Sequence, residues 1–226
     1  GLARESLHVV QDLIGKCGIG SAWGPGHAST LAARQLQAEV LSDLGHFSQA
    51  LVIVEDVITK REAHESLGAA HVSTIEARHL QAHLLHFLDR DADALPIIRE
   101  VVKQGELNPA WGPSHAQILV GYHSLPNILK GLGRAAEALP IIEATVAKAT
   151  AHAEWGADHL ETLSCRHLQA MVLNELGRAA QALAIIEDVA AKMAAHPARG
   201  ANHAGTLASR QVTASILVDL GRLDEA

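Results

Sequence analysis

The sequence is poor in residues on which many small folds and binding proteins depend. Only 3% of its 226 residues are aromatic and only two are cysteines, Cys17 and Cys165, so neither an aromatic core nor a disulfide framework is expected. No apolar run approaches the roughly 20 residues that span a bilayer, and the first residues do not resemble a signal peptide. With 18 basic and 25 acidic residues, the chain lacks the positive charge typical of nucleic-acid binding. These absences predict a cytoplasmic protein with a core of Leu, Ile, Val and Ala and with no membrane or nucleic-acid partner.

Histidine is abundant, and five of the 15 histidines recur at a constant spacing of 44 residues. They are His27, His71, His115, His159 and His203, and each lies three residues after a glycine. Self-similarity at a fixed period is typical of a stacked repeat array. We expect these histidines to recur because a loop-to-helix junction recurs, with the preceding Ser114, Asp158 and Asn202 as helix N-caps.

Each period contains two segments with apolar residues at helical spacing. A Leu-Gly pair separates the two segments at residues 44–45, 132–133, 176–177 and 220–221. Glycine there supplies the left-handed residue that ends a helix. An alanine recurs at positions 50, 94, 138, 182 and 226, where we expect the second helix to lie closest to the first. The predicted unit is therefore a first helix, a tight turn, a second helix and a longer loop.

On this period, residues 1–226 form one array, which we expect to be a fragment of a longer protein. The four complete helix pairs are predicted at about residues 28–63, 72–107, 116–151 and 160–195. An unpaired second helix is expected at about residues 4–17, and an unpaired first helix at about 204–220. Because each unpaired helix would leave an apolar face bare, head-to-tail self-association through these helices is a further expectation.

Four sequence features connect this unit to a known repeat. They are His-x-x-Thr-Leu at residues 159–163, Arg-His at 166–167, Leu-Gly-Arg at 176–178 and the spacing from Gly177 to Ala182. The pattern resembles the tetratricopeptide repeat in its long form, as in kinesin light chains and many bacterial proteins. The resemblance covers the whole chain and implies an all-α, right-handed superhelix, an α-solenoid of antiparallel helix pairs. It also implies a protein or peptide partner, bound in a concave groove that the first helices line. Where the family often has an asparagine that holds a ligand's backbone, this chain has Leu36, Leu80 and Leu168.

The resemblance also implies which side chains face the groove, namely those at positions equivalent to residues 32, 35, 39, 42 and 43. These positions vary between repeats, whereas the core leucines at 41, 85, 129, 173 and 217 do not. The candidate contacts are His79, His83, His86, His123, Asn127, Lys130, His167 and Asn174. We expect His79, His83 and His86 to be solvated groove histidines, with ligand contacts and an adventitious metal site as the alternatives. Since imidazoles change charge near neutral pH, we also expect partner binding to be sensitive to pH.

Three other histidines suggest a metal alternative. His64, His152 and His196 lie near the ends of second helices, each seven residues before a junction histidine. Two imidazoles without a nearby cysteine or carboxylate make a weak zinc site, so we expect no metal and no cofactor. We expect these imidazoles to meet the terminal carbonyl groups of the second helices instead. Metal binding therefore ranks below two other readings, a binding scaffold and the sensor or autoinhibitory part of a larger regulator.

Catalytic motifs are absent from the sequence. It contains no Gly-rich phosphate loop, nucleophile elbow or Cys-x-x-Cys, and Cys165 occupies a position filled elsewhere by alanine, glycine or serine. We expect Cys165 to be inert and the protein not to be an enzyme.

The first helix of the third pair departs from the repeat. Tyr122 replaces an arginine found at residues 34, 78, 166 and 210, and Pro126 replaces an alanine found at 38, 82, 170 and 214. Proline removes the N–H that would donate to the Tyr122 carbonyl, so a bend is expected there.

Overall fold

A computed structural model describes residues 8–12, 15, 24–107, 116–197 and 200–225, with the side chains of 116–120 left out of the description. Over this part of the chain there is no strand, and nine helices have defined bounds. In chain order they are α1 (Ala28–Asp43), α2 (Phe47–Glu62), α3 (Val72–Phe87), α4 (Asp91–Leu107), α5 (Ala116–Gly131), α6 (Ala135–Ala151), α7 (Leu160–Glu175), α8 (Ala179–Ala195) and α9 (Ala204–Asp219). Residues 8–12 and 15 are helical too, whereas the rest of the predicted 4–17 helix lies outside the described residues.

The chain divides into two compact units, residues 1–110 and 111–226. In the first unit α2 packs against both α1 and α3, and α3 packs against α4. In the second unit α5 to α9 pack successively in the same way. The predicted all-α fold of repeated helix pairs is therefore confirmed, and the single array over residues 1–226 stays a prediction.

The core of each unit is aliphatic. The leucines at position 41 of the repeat are 1–5% exposed, and the alanines at position 50 in the four pairs are all fully buried. Burying one large aliphatic side chain contributes roughly 1.5–3 kcal/mol. The alanines allow the close helix approach that the sequence predicted.

The tight turns within the pairs need a left-handed residue. Gly177 has φ 73°, and glycines occupy the equivalent position in three of the other turns. Asp89 takes the same conformation with φ 56° in the turn that lacks the glycine. Its short polar side chain tolerates this region of backbone space better than most residues do.

The junction histidines themselves cap the first helices. Nδ1 accepts a hydrogen bond from the backbone N–H two residues later, at 3.2 Å in His27, His71 and His159 and at 3.1 Å in His203. The prediction that Asp158 and Asn202 are the N-caps is therefore wrong. Nδ1 is bonded to Cγ, as a side-chain oxygen of Asp or Asn is, so it reaches the same amide. Ser114 and His115 lie outside the described residues, as does Cys17.

The loop histidines also accept hydrogen bonds from amides. His64 Nδ1 accepts from the N–H of Ser66, and His152 Nδ1 accepts from the N–H of Glu154, both at 3.2 Å. The expected contact between these two imidazoles and the terminal carbonyl groups is wrong, because Nδ1 acts as an acceptor for the following turn. Within the described ranges, no helix is long and apolar enough to cross a membrane.

Candidate functional site

Three candidate histidines of the first unit lie along one side of α3. His79, His83 and His86 are partly buried, not freely solvated as expected. His86 Nδ1 lies 2.6 Å from Oδ1 of Asp91, the first residue of α4, and this carboxylate is largely buried. The imidazole of His83 packs edge-on against the ring of Phe87, with 4.7 Å between centroids.

Burial decides the charge of His83. It lowers the pKa of His83, nearby His86 lowers it further, and Asp43 opposes both effects. His83 is therefore uncharged at neutral pH, because an exposed imidazole has a pKa of about 6.5.

The same unit contains a buried arginine between α1, α2 and α3. Arg61 is 3% exposed, and its Nη1 donates to Gln35 Oε1 and to the Ser73 carbonyl. Gln35 Nε2 in turn donates to Glu39 Oε1 at 2.9 Å. Burial lowers the pKa of Arg61, whereas the carboxylates of Glu76 and Glu39 raise it. A network of charged and amide groups thus fills this junction between successive helix pairs; we call it the Arg61 network.

The second unit contains a cavity of about 300 Å³ at the equivalent junction, which we call the methionine cavity. Helix α5 contributes His123 and Asn127, and α8 contributes Met193. From α7 come Ser164, His167, Leu168 and Met171, and from α9 come Gly205 and Ala208. Three of the eight predicted site residues, His123, Asn127 and His167, therefore meet at one cavity.

His167 is held in place at the wall of this cavity. Its Nδ1 lies 3.0 Å from Oγ of Ser209, a buried residue of α9. Ser209 Oγ also lies 3.1 Å from the Gly205 carbonyl and 3.4 Å from Met193 Sδ. Burial lowers the pKa of His167, so the imidazole is uncharged at neutral pH.

Lys130 and Asn174 link successive first helices. Lys130 Nζ lies 3.4 Å from Glu175 Oε1, and Asn174 Nδ2 donates to Asp219 Oδ2 at 2.7 Å. Both contacts join position 42 of one repeat to position 43 of the next. Asn174 Oδ1 is buried without a hydrogen-bond partner among the described residues, so this atom can still accept a hydrogen bond.

The first helix of the third pair continues through Pro126, which lies inside α5. The Tyr122 carbonyl, which loses its helical donor there, lies 3.5 Å from Thr145 Oγ1 on α6. Lys148 Nζ lies 4.2 Å from the centroid of the Tyr122 ring. In the fourth pair, the equivalent Arg166 forms an ion pair with Asp188. A cation–π contact therefore replaces an ion pair between first and second helix, and the bend stays a prediction.

Neither a metal site nor a reactive cysteine emerges from the described residues. No group of three or more His, Cys, Asp and Glu side chains is placed there to hold a metal ion. In the loop proposed for a two-histidine site, the Trp155 ring packs against both His152 and His159, at 4.8 and 5.1 Å between centroids. Burial raises the pKa of Cys165 to about 12, so this thiol stays protonated.

Sequence reasoning missed six of the nine residues that line the cavity. Met193, Gly205 and Ala208 lie on helices that carry none of the predicted contacts. One signal was present in the sequence, since the chain has only two methionines and both of them, Met171 and Met193, line this cavity.

Comparison with solved structures identifies the fold. The chain is similar to a Podospora anserina protein described as a kinesin light chain of nearly identical TPR-like repeats. The identity is 22% and the TM-score 0.63, over 85% of this chain and 87% of that one. BtubC (BKLC) from P. vanneervenii has 13% identity and a TM-score of 0.68, over 99% of this chain and 84% of its own. No protein-family profile matches the sequence, and no curated protein matches it. The fold is that of tetratricopeptide-like repeats, as the sequence resemblance implied.

Proposed function

We propose that this chain of tetratricopeptide-like repeats is a noncatalytic scaffold that binds a protein or peptide partner through the surface of its first helices. The proposed contacts are His79, His83 and His86 in the first unit and His123, Asn127, Lys130, His167 and Asn174 in the second.

The observation that carries this proposal is the methionine cavity. Ligand sites are concave and mostly apolar, with a few polar groups that fix orientation. The cavity has this composition, since Leu168, Met171 and Met193 lie beside two imidazoles and an amide. Its lining also combines residues from three first helices, α5, α7 and α9. A surface built in this way suits an extended partner that contacts several repeats.

Comparison of the repeats distinguishes the positions of this surface from those of the core. Core positions keep one residue type, as the leucines at position 41 do, because each packs in the same environment. Position 39 instead reads Glu39, His83, Asn127, Met171 and Ser215. Such variation on partly exposed first-helix positions favours contact with an asymmetric partner.

Selection from a peptide library tests the proposal. Peptides selected on the whole chain would be titrated against a variant with His123, Asn127 and His167 changed to alanine. We expect affinity to fall at least about tenfold, since these three side chains line the cavity and a few contacts carry most of the binding energy at an interface. A variant with the exposed second-helix residues Glu143 and Glu187 changed to alanine is the control, and it should bind normally. Equal binding by both variants would refute the groove assignment.

A second candidate function, self-association, is favoured by the exposed surface of α9. Leu207 is 49% exposed, whereas the equivalent Leu31, Ile75 and Leu163 are 0–2% exposed. We propose that a second helix from another copy covers Leu207. The repeat places Asp12 at the position of Asp188, which pairs with Arg166, and Arg210 at the position of Arg166.

Sedimentation equilibrium of the chain tests self-association. We expect concentration-dependent association that Arg210→Asp and Asp12→Arg each weaken and that the double variant restores, since the reversed pair is again attractive. A strict monomer at every concentration, or no rescue by the double variant, would contradict this contact.

A further inference from the structure

The methionine cavity and the Arg61 network occupy equivalent positions of the repeat. Met193 stands where the first unit has Arg61, and Met171 stands where it has Glu39. Similarly, Ala208 replaces Glu76. Three charged side chains of one junction are thus uncharged at the other, and two of these three replacements are the only methionines of the chain.

The replacements change what the junction can hold. In the first unit the Arg61 guanidinium lies between the helices, with the Ser73 carbonyl and the Gln35 amide as acceptors. In the second unit Gly205 and Ala208 take the places of Ser73 and Glu76, so less side-chain volume is present, and a cavity of about 300 Å³ opens.

The lining selects against a charged ligand. None of the nine lining residues is Asp, Glu, Lys or Arg, and His167 is uncharged at neutral pH. A charged group that entered would lose hydration without gaining a counter-charge from this lining, which is strongly unfavourable. An uncharged apolar group would instead lose little hydration and would contact the Met171 and Met193 side chains that line the cavity.

Size and chemistry narrow the ligand further. Ligand pockets span about 300–1,000 Å³, so this cavity suits one side chain better than a cofactor. Methionine sulfur makes favourable contacts with aromatic rings, worth about 0.3–1.5 kcal/mol each. The imidazoles of His123 and His167 add edges that can pack against a ring, as His83 packs against Phe87 in the first unit.

We propose that the methionine cavity binds one aromatic side chain of a peptide partner, between Met171 on α7 and Met193 on α8. The inference rests on the proposed function, because the peptide supplies the side chain. It adds the chemical class of the residue that the partner inserts.

Methyl NMR of the whole chain tests this directly. With ¹³C-methyl methionine the protein gives two methyl signals, and both report on the cavity. The probes are N-acetyl amides of tryptophan, phenylalanine, leucine, lysine and glutamate. We expect saturable shifts of both signals with the aromatic amides, at dissociation constants on the order of 1 mM. Lysine and glutamate amides should bind at least about tenfold more weakly. Equal shifts with the leucine amide would overturn the aromatic preference, and equal shifts with the lysine amide would overturn the cavity's selectivity.

A pair of alanine variants on α9 provides the matched control. Ala208→Phe places a ring at the cavity rim, whereas Ala204→Phe places one on an exposed part of the same helix that does not line the cavity. Ala208→Phe should abolish the shifts caused by the tryptophan amide, and Ala204→Phe should preserve them. Retained binding by Ala208→Phe would overturn the assignment.

The two proposals can fail separately. If aromatic amides bind but library selection yields no peptide, the cavity assignment stands and the scaffold role fails. If selected peptides bind but lack an aromatic residue, the scaffold role stands and the aromatic assignment fails.

Discussion

The two units solve the same packing problem in different ways. Their junctions between successive helix pairs have the same repeat register and the same capped helix starts. In the first unit, Arg61 fills the junction and is bonded to Gln35 and Ser73. In the second unit, Met193 occupies that position beside an open cavity.

This difference shows where a repeat array can acquire a binding site. The contacts within each pair are set by leucines and alanines that hardly change, so they preserve the fold. The junction between pairs depends on a few positions that the fold leaves unconstrained. Changing those positions from charged to apolar and small residues converts a filled junction into a cavity without altering the helix pairs.

Removing Arg61, the centre of the Arg61 network, should have the largest effect on the stability of the protein. Arg61→Ala leaves the Gln35 and Ser73 acceptors without a donor and removes the positive charge near Glu39 and Glu76, so we expect a loss of about 3 kcal/mol in unfolding free energy. Lys60→Ala, the matched control, removes a partly exposed ion pair with Asp56 and should cost less than about 1 kcal/mol. Urea denaturation followed by circular dichroism measures both. A loss no larger than that of Lys60→Ala would show that the Arg61 network does not stabilise the first unit.

Placing an arginine at the equivalent position of the second unit should reduce stability somewhat less. Met193→Arg buries a guanidinium without carboxylate partners, and we expect it to destabilise the chain by about 2 kcal/mol. Adding Met171→Glu and Ala208→Glu supplies the carboxylates of the first unit and should recover at least about half of this loss. Urea denaturation followed by circular dichroism measures the stability of both variants. If the added carboxylates deepen the loss, the two junctions are not equivalent in structure.

Loss of a histidine N-cap should reduce stability by a similar amount in both units. His71→Ala in the first unit and His159→Ala in the second each remove an N-cap acceptor, so each should cost about 1 kcal/mol. Asp158→Ala removes only an exposed ion pair with Lys192 and should change stability by less than about 0.5 kcal/mol. A larger loss of stability from Asp158→Ala than from His159→Ala would show that the aspartate is the N-cap.

The pH response should be the smallest effect and should occur in both units. Because burial lowers the pKa of His83 and His167, the unfolded chain takes up protons at a higher pH than the folded chain does. Their contribution to stability is complete above a pH of about 6.5 and is lost as the pH falls through the folded-state pKa. NMR titration of the imidazole signals should give midpoints below that of an exposed histidine, and His167→Gln should reduce the loss of stability in acid. A normal midpoint for His167 would contradict its burial.

Local sequence signals predicted the helices well because they depend on neighbours along the chain. The Leu-Gly turn at Gly177 and the alanine at 182 recur for steric reasons that act within one pair. The cap was misassigned for a similarly local reason. Asp158 and His159 are adjacent, and the backbone angles at the helix start decide which side chain reaches the free amide.

The candidate site was predicted less completely, because it combines residues from different repeats. His123, Asn127 and His167 share repeat positions that face one surface, so the pattern found them. Met193 lies on a second helix, which the resemblance did not place at the groove, and only packing brings it to the cavity.

The sequence by itself determined the period, the all-α class and the order of first helix, turn and second helix, because each repeat must bury the same aliphatic stripe. Only the tertiary structure decided that the junction histidines accept the capping hydrogen bonds and that one junction is filled by Arg61 while the other is open. These outcomes depend on distances between side chains from separate helices, and a one-dimensional pattern of residue types does not specify such distances.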